Sequence, residues 1–457
     1  MKRINLSPRV ANVIHEVDIL VVGGGPAGIG AAISSSYGGA KVLLLEKNGF
    51  LGGNITKSYV ETCNYFMKDT PFQSCGVYAK METQYKERYG RSDDLRPDSP
   101  HRFSSEYLKI FLDTFMKDHN VNVLFHSFVN EVVMNGPIIE SIIIQTKQGP
   151  QAIIAKQIID CTGDGDVAFA AGAPFEIGRD KDHLTQPGTL SFRIAGVNSA
   201  KLLEDGKDKL KEIGLKYKEE YRAGKTGLSC KRQDLPFGRL TAGSQVTYVN
   251  YPCAYGFDPT DIQGLSRGEQ ECRTYIDEMI HYMRGNMEGM ERVELASIAT
   301  EICFRDSRRI KGKYHLSIND MTEGRAFDDV IGVYPQFYDM LSPDAYMDGD
   351  GSLAGGGYNG HIYVPIEGDK SFEIPYGSLV PQGIENLLVA GRCISSDHVA
   401  QSGIRAISAC MLTGEAAGAA AAIALADQVA PASVAIGKLQ KTLFEQGVTL
   451  PERITSK

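Results

Sequence analysis

VDILVVGGGPAGIGAAISSSYGGAKVLLLEK, residues 17–47, opens on an apolar run suited to a β-strand, 18–22, that enters a glycine turn. An Ala-rich helix follows, and a second apolar run, 41–45, ends on Glu46. The glycines fit G-x-G-x-x-G at Gly23, Gly25 and Gly28. Gly23 permits the tight turn, Gly25 lets a pyrophosphate approach the backbone, and Gly28 lets helix and strand pack closely. The helix N-terminus then offers free N–H groups and a partial positive charge to phosphates. Glu46, about 20 residues downstream, is placed to accept hydrogen bonds from ribose hydroxyls. Strand, helix, strand and terminal acid in register identify a dinucleotide site. An ordinary βαβ crossover would leave the three glycines unexplained.

Outward from this unit, Gly52 and Gly53 mark another close backbone approach, read as lying over the same dinucleotide. Residues 58–100 lack a clear period and read as a loop with short helices. Ser104 or Ser105 can cap a helix reaching about His119, with Tyr107, Leu108, Phe111, Leu112, Phe115 and Met116 on its apolar face and Asn120 ending it. A strand at 121–125 is followed by three short runs, 128–134, 138–146 and 151–154, separated by Asn135-Gly136 and Gln148-Gly149. These read as an antiparallel meander. A returning strand, 157–160, then enters a Gly/Asp turn and a short Ala-rich helix, 167–172. Strand, helix, parallel strand, meander and returning strand suit an FAD domain better than an NAD one.

From 174 to 372, strand-like segments (189–194, 245–251) alternate with charged helical ones (200–223, 268–285). The expected organisation is therefore α/β. A Rossmann-like domain, 1–173 with 373–457, combines a parallel sheet with the meander, and 174–372 is an inserted α+β substrate domain. The glycine-rich 354–360 reads as a flexible loop, because no apolar helix follows it. Residues 386–392 read as a buried strand entering a turn, and Ser402 or Gly403 begins a long helix to Leu425 in which Gly414 and Gly418 permit close packing.

The chain has 457 residues, 42% hydrophobic and 23% charged, enough for two or three domains with large cores. A formal charge of −8 and a pI near 5.7 argue against nucleic acid as a partner. The mixed charges of 201–225 read as a solvated helical face. Nine scattered cysteines without C-x-x-C suit free thiols in a reducing cytoplasm and argue against a metal site. The apolar stretch 416–426 is shorter than the roughly 20 residues of a membrane span, and residues 1–20 lack a signal-peptide core. The expectation is a cytoplasmic protein with no membrane span.

Four stretches bear a family likeness: VVGGGPAGIGAA with LLLEKNGFLGGNIT; IIDCTGDGDVAFAAGAPFEIGR; FRDSRRIKGKY; and IPYGSLVPQGIENLLVAGRCISSDHVAQSGIRAISACMLTGEAAGAAAA. With these the chain resembles bacterial FAD-dependent oxidoreductases of the glutathione-reductase and fumarate-reductase superfamily. The resemblance implies that Gly23, Gly25, Pro26, Ala27 and Gly28 hold the FAD pyrophosphate, Glu46 the adenosine ribose and Lys47 the adenine region. It implies that Gly52, Gly53 and Asn54 pass along the pyrophosphate, and that the Val129 backbone meets the adenine. Cys161, Thr162, Gly163 and Asp164 would close over the cofactor's middle. Gly391-Arg392 stands where many relatives carry Gly-Asp toward the ribityl chain, so Arg392 is expected to meet a phosphate. Ser402, Gly403 and Ile404 would bring a helix N-terminus to the flavin pyrimidine edge, where reduction places negative charge.

FAD would carry the hydride and the protein would supply position and field. Four residues are placed near the reacting face: His398, Arg193, Gln401 and Arg405. A neutral His398 would take a substrate proton as hydride leaves, or would be a hydrogen-bonded structural residue. Arg193 and Arg405 would clamp a carboxylate, or form internal ion pairs. Arg308 and Arg309 read as interdomain salt bridges. A halogenase would need a tryptophan-bearing motif, and the chain has no Trp. A disulfide reductase would need C-x-x-C and a second dinucleotide fold. The expected activity is a dehydrogenase-type oxidoreductase acting on a small polar organic substrate with an unidentified electron acceptor or donor. Reduction of an unsaturated acid and non-catalytic flavin binding are the alternatives, and a homo-oligomer is left open.

Overall fold

A computed structural model describes residues 9–61, 75–90, 103–203, 209–241, 243–335, 338–341, 343, 361–364 and 370–456. The glycine-rich 354–360, and parts of the 58–100 loop at 62–74 and 91–100, lie outside these residues. Strands β1 (Asn12–Val22), β2 (Val42–Leu45) and β3 (Asn122–Leu124) pair in parallel on one side of the main sheet. On the other side come β4 (Phe128–Asn135), β5 (Ile138–Thr146) and β6 (Gly149–Asp160), in the order β3-β2-β1-β6-β5-β4. The end of β1, Ile19 to Val22, is at most 3% exposed, as near-continuous apolar strands between two covered faces should be.

The expected third meander run and returning strand are a single strand, β6. Its first half pairs antiparallel with β5, from Thr146 opposite Gly149 to Ile142 opposite Ile153. Its second half pairs in parallel with the strand Leu387–Val389, which brings the C-terminal part of the chain into the sheet. Throughout, β6 also runs parallel to β1. A strand serving three neighbours carries apolar residues at close intervals, and no turn residue interrupts it.

Helix α1 (Pro26–Tyr37) packs along the C-terminal helix Ile407–Asp427. The long helix expected from residue 402 is in fact two. A four-residue helix, Gln401–Ile404, ends at Arg405, and Ala406 is extended (φ −57°, ψ 146°) before the second begins. Arg405 turns aside to pair with Asp339, 3.2 Å away, and no glycine or proline signals the break. By length and composition Ile407–Asp427 could cross a membrane, unlike the shorter stretch expected, but 83% of its most apolar window is buried inside the protein.

Residues 54–57 form α2 (Asn54–Lys57), and the presumed loop region contains a 14-residue helix, α3 (Gly76–Tyr89). Helix α4 (Ser105–Asp118) starts where the serines indicate, yet neither hydroxyl caps it. The Glu61 carboxylate accepts from Ser105 N–H at 2.9 Å instead, satisfying an N-terminal donor from outside the helix. Tyr107, expected on the apolar face, is 50% exposed and stacks on Tyr89.

A smaller core gathers Tyr59 with residues between Leu190 and Ile302. It packs an antiparallel sheet of Gln245–Val249, Phe192–Ala195 and Glu294–Ile298 with the helix Ile262–Asn286. That helix begins six residues earlier than its charge pattern suggests, because the Asp261 side chain accepts from Gly264 N–H at 2.8 Å. Ile310, Leu316, Met321, Phe327, Val330, Ile331, Tyr334 and Tyr338 belong to the larger core.

A buried acid joins α3 to the C-terminal helix. Glu415 is 1% exposed, Oε2 accepts from Val77 N–H at 2.9 Å, and among the described residues Oε1 has no partner. Burial pushes its carboxyl up from 4.5 to about 7, against the pull of the Val77 bond. Between pH 4.5 and 7 the unfolded chain therefore loses a proton that the folded chain keeps, and stability falls as pH rises. The loss is about 3 kcal/mol over that window. Denaturant titrations at pH 5 and pH 8 should show this decline in the wild type and a much flatter response in Glu415→Gln. Equal slopes in both would remove the assignment.

Candidate functional site

The first glycine loop is built from backbone contacts. Gly23 has φ +103°, and a Cβ there would lie 2.5 Å from the Cys161 carbonyl oxygen at the end of β6. A Cβ on Gly28 would lie 1.8 Å from Gly23 O, so α1 can turn back onto its own loop only with glycine. Gly24 is less constrained, since the nearest atoms to its virtual Cβ, Leu51 Cδ2 at 2.4 Å and Glu46 Oε2 at 2.9 Å, belong to side chains. Gly25 differs. Its backbone is extended (φ −77°, ψ −174°) and its virtual Cβ meets nothing nearer than 3.7 Å. Protein packing does not require glycine at 25, whereas a ligand drawn close to the backbone does.

Gly25 faces an open cleft whose empty space, mouth and adjoining solvent included, is about 1060 Å³. Its wall brings together Gly23, Gly25, Pro26, Ala27, Glu46, Lys47, Gly53, Asn54, Val129, Cys161, Thr162, Gly163, Asp164, Gly391 and Arg392 from three distant parts of the chain. Gly28 sits behind the loop. Gly52 also stands back, donating its N–H to Gly24 O at 2.9 Å, so the close approach at 52–53 is to the first glycine loop. A Cβ on Gly53 would lie 2.8 Å from Gly25 Cα. Ser402, Gly403 and Ile404 are buried in their short helix, and the wall on that side is formed by Arg405, Ile407 and Cys410.

Two helix N-termini open at this cavity, those of α1 and of Ile407–Asp427, and no side chain caps either. Both therefore direct partial positive charge at the cavity. Lys47, Lys57, Arg392 and Arg405 add full positive charges, set against Glu46, Asp164 and Asp166. Glu46 Oε2 accepts from Gly24 N–H at 2.7 Å, while Oε1 accepts from the Asn48 backbone and side-chain nitrogens at 2.8 Å each. The carboxylate is thus oriented before any ligand arrives.

Arg392 pairs with Asp164 at 2.7 Å, and Ser307 Oγ donates to the same oxygen at 2.6 Å. Burial raises the Asp164 carboxyl, but Arg392, Ser307 and the two lysines outweigh it and hold the group below its ordinary value. Arg392, expected to meet a phosphate, is thus held by an internal acid at the same wall.

The four residues expected near the reacting face are dispersed. Arg405 lines the cavity, and among the described residues its buried Nε has no hydrogen-bond partner. His398 is 6% exposed, with Nδ1 lying 3.0 Å from Asp306 Oδ2. Gln401 is buried between Arg305 O, 2.8 Å from Nε2, and the Gln186 amide. Arg193 is held by Glu61 at 2.9 Å, Glu106 at 3.3 Å and Ser105, and lies over the Tyr59 ring. Of the four, Arg193, His398 and Gln401 are not in the wall of this cavity. Arg308 does form the expected link, to Asp166 at 2.9 Å, whereas Arg309 is 1% exposed and bonds chiefly to Ser396 O and Gly178 O.

Several organising residues escaped the sequence reading. Asp160, fully buried, accepts from Thr162 N–H at 3.0 Å, Thr162 Oγ1 at 2.7 Å and Ala168 N–H at 2.9 Å, fixing the 161–168 turn. Glu301 holds both Lys47, at 3.4 Å, and Lys57. Asp306 lies beside His398. Asp160 and Asp306 lie within the quoted family stretches and Glu301 outside them, but the role of each is recognisable only once its partners converge. Among the described residues no group of three or more His, Cys, Asp or Glu could hold a metal ion.

The glycine geometry separates folding from ligand binding. Gly25→Ala should keep the wild-type melting temperature and lose most of its bound flavin. Gly28→Ala should fail to fold stably. Flavin absorbance per protein and thermal melts on the two variants check this, and full flavin content in Gly25→Ala would remove the ligand role of that position.

Residues 18–443 match the family described as FAD dependent oxidoreductase. A 46-residue segment is 52% identical to the cytochrome-type fumarate reductase of Shewanella frigidimarina, spanning 10% of this chain and 8% of that protein. Among solved structures the chain is similar to the FAD-dependent chondrochloren halogenase of a myxobacterium, with TM-score 0.47 and 12% identity, covering 94% of this chain and 78% of that one. It is also similar to a geranylgeranyl bacteriochlorophyll reductase-like protein from Thermoplasma acidophilum, with TM-score 0.45 and 12% identity, covering 94% and 82%. With the family match running over nearly its whole length, this chain belongs to the FAD-dependent oxidoreductases, and FAD is its cofactor.

Proposed function

We propose that the protein is a flavin-dependent dehydrogenase of the glutathione-reductase and fumarate-reductase superfamily, acting on a small polar organic substrate. The observation that carries this reading is the cavity at which the Gly25 backbone, two uncapped helix N-termini and an oriented Glu46 meet. A dinucleotide has a diphosphate, sugar hydroxyls and aromatic rings, and this wall offers N–H groups, carboxylates and apolar surface.

In this reading Gly23, Gly25, Pro26 and Ala27 receive the pyrophosphate, and Glu46 accepts from the adenosine ribose. Lys47 and Val129 border the adenine, and Asp164 with Gly391 closes over the middle. The helix Ile407–Asp427 takes the dipole role that the sequence suggests for 402–404, because its N-terminus is the one at the cavity. When bound, FAD supplies a hydride acceptor at flavin N5.

The chain's own residues handle charge and protons. Arg405 presents a guanidinium with an unused buried N–H, suited to a substrate carboxylate. His398 accepts the proton of a substrate hydroxyl or amine at Nε2. The core around 190–302 supplies the substrate side of the 174–372 domain division, and an unidentified acceptor or donor exchanges electrons with the flavin. A cytoplasmic location follows from the cysteine usage.

The short match to a fumarate reductase favours a second reading, reduction of an unsaturated acid. Anaerobic bleaching of the bound flavin by members of a metabolite panel supports the dehydrogenase. Reoxidation of dithionite-reduced protein by fumarate, with no bleaching by any alcohol or amine, supports the reductase.

The protein should purify yellow and release flavin on denaturation. Glu46→Ala should retain less FAD. His398→Ala should retain FAD but slow flavin reduction by about 10²-fold or more. A colourless protein sinks the flavin reading, and an unslowed His398→Ala removes that residue from catalysis.

A further inference from the structure

We propose that Asp306 is the positioning residue for His398, holding the imidazole with its proton on Nδ1 so that Nε2 stays bare toward the substrate. The inference rests on the reading of His398 as proton acceptor.

His398 is 6% exposed and Asp306 fully buried, with Nδ1 and Oδ2 3.0 Å apart. The N–H direction lies off the line between them, so this contact is not yet a formed hydrogen bond, and among the described residues Nε2 has no partner. A buried imidazole with both nitrogens unsatisfied is uncommon and calls for a reason. A small ring rotation would turn the 3.0 Å contact into a charge-assisted bond, and catalytic hydrogen bonds commonly tighten when a ligand binds. An ionised carboxylate only accepts, so it selects the Nδ1–H tautomer.

Asp306 is itself held firmly. Oδ2 also faces Gln186 N–H at 3.3 Å, and Oδ1 lies 3.4 Å from Arg309 NH1. Arg309 is anchored in turn by donation to Ser396 O and Gly178 O, 2.9 Å each. Ser396 lies two residues before His398, so one anchor locates both carboxylate and imidazole. The segment carrying His398 runs between Arg392 and Arg405, both in the cavity wall. When Nε2 takes a proton the ring becomes a cation, and the Asp306 charge is already beside it.

The test is nitrogen NMR of the holoenzyme carrying ¹⁵N-labelled histidine, at a pH where imidazoles are neutral, with the His398 signal identified by its loss in His398→Gln. Protonated Nδ1 with bare Nε2 is the expected result; the opposite tautomer, or an even mixture, overturns the proposal. Because the tautomer is read in the wild-type protein, it does not depend on Asp306→Asn folding. Asp306→Asn should erase the tautomer preference and slow flavin reduction about 10²-fold, with Asp306→Glu recovering part of both. An unchanged tautomer in Asp306→Asn also overturns it. Wild-type flavin reduction in His398→Gln, driven by whichever panel metabolite bleaches the flavin, is a separate failure. It would remove the acceptor role of His398, whatever the tautomer.

Discussion

Three glycines set how closely the two ends of the chain approach, and the cavity depends on that distance. A Cβ on Gly414 would lie 1.9 Å from Ala27 O, one on Gly418 2.3 Å from Ala31 O, and one on Gly30 2.4 Å from Met411 O. Gly414 and Gly418 are one turn apart, so they share a face of the C-terminal helix and rest on successive turns of α1. The atoms they meet are backbone, which cannot swing away as a side chain would. Each glycine costs its helix about 1 kcal/mol relative to alanine, a loss that close helix packing must offset. The same approach leaves a Cβ on Gly391 only 2.9 Å from Ala27 Cβ. It thereby draws the strand Leu387–Val389, Arg392 and the start of the C-terminal helix to the first glycine loop.

A second constraint is electrostatic and acts across the smaller core. Residues 304–309 thread between the two units, and each charged side chain finds a separate partner. Arg305 donates to Pro187 O and Thr189 Oγ1, Arg308 reaches Asp166 and lies over the Phe169 ring, and Arg309 holds backbone carbonyls. Such partly buried pairs hold geometry more than they add stability, since the desolvation of both ions opposes their attraction. Around the cavity, the Lys47, Lys57 and Glu301 cluster and the Arg392–Asp164 pair keep cations in place without a bound anion. The wall is therefore organised in advance, which reduces what ligand binding must order.

How much of this was legible in the residues depends on the range of the interaction. The βαβ unit, the tight turn at Gly23, the close packing at Gly28, the hairpin turns and the close packing of Gly414 and Gly418 come from local spacing, and they are where the structure puts them. Continuity of β6 was hidden because alternation with polar residues at 149–157 resembles an edge strand, whereas its partner β1 lies more than 120 residues away. The break at 405–406 was hidden because Arg405 and Ala406 favour helix, and a distant partner, Asp339, pulls the chain aside. Glu61 capping α4 and Asp306 beside His398 are of the same kind. Each is an acid whose partner is supplied by the tertiary fold, so no window of sequence contains both.

The cavity also narrows the chemistry through groups it keeps neutral. Cys161 and Cys410 line it, and Cys393 lies just beyond the Gly391 turn. Burial pushes the Cys161 and Cys393 thiols well above the ordinary range, with the Asp160 carboxylate adding to the effect, and carries Cys410 up to about 12 against the opposing pull of Arg392 and Arg405. A thiol acts as nucleophile or donates charge to an electron-poor ring as the thiolate, a form that burial suppresses here. At neutral pH these sulfurs therefore pack as small apolar groups. Charge at the cavity wall is then carried by nitrogen and oxygen groups, among them the Arg405 guanidinium and the Asp164 carboxylate.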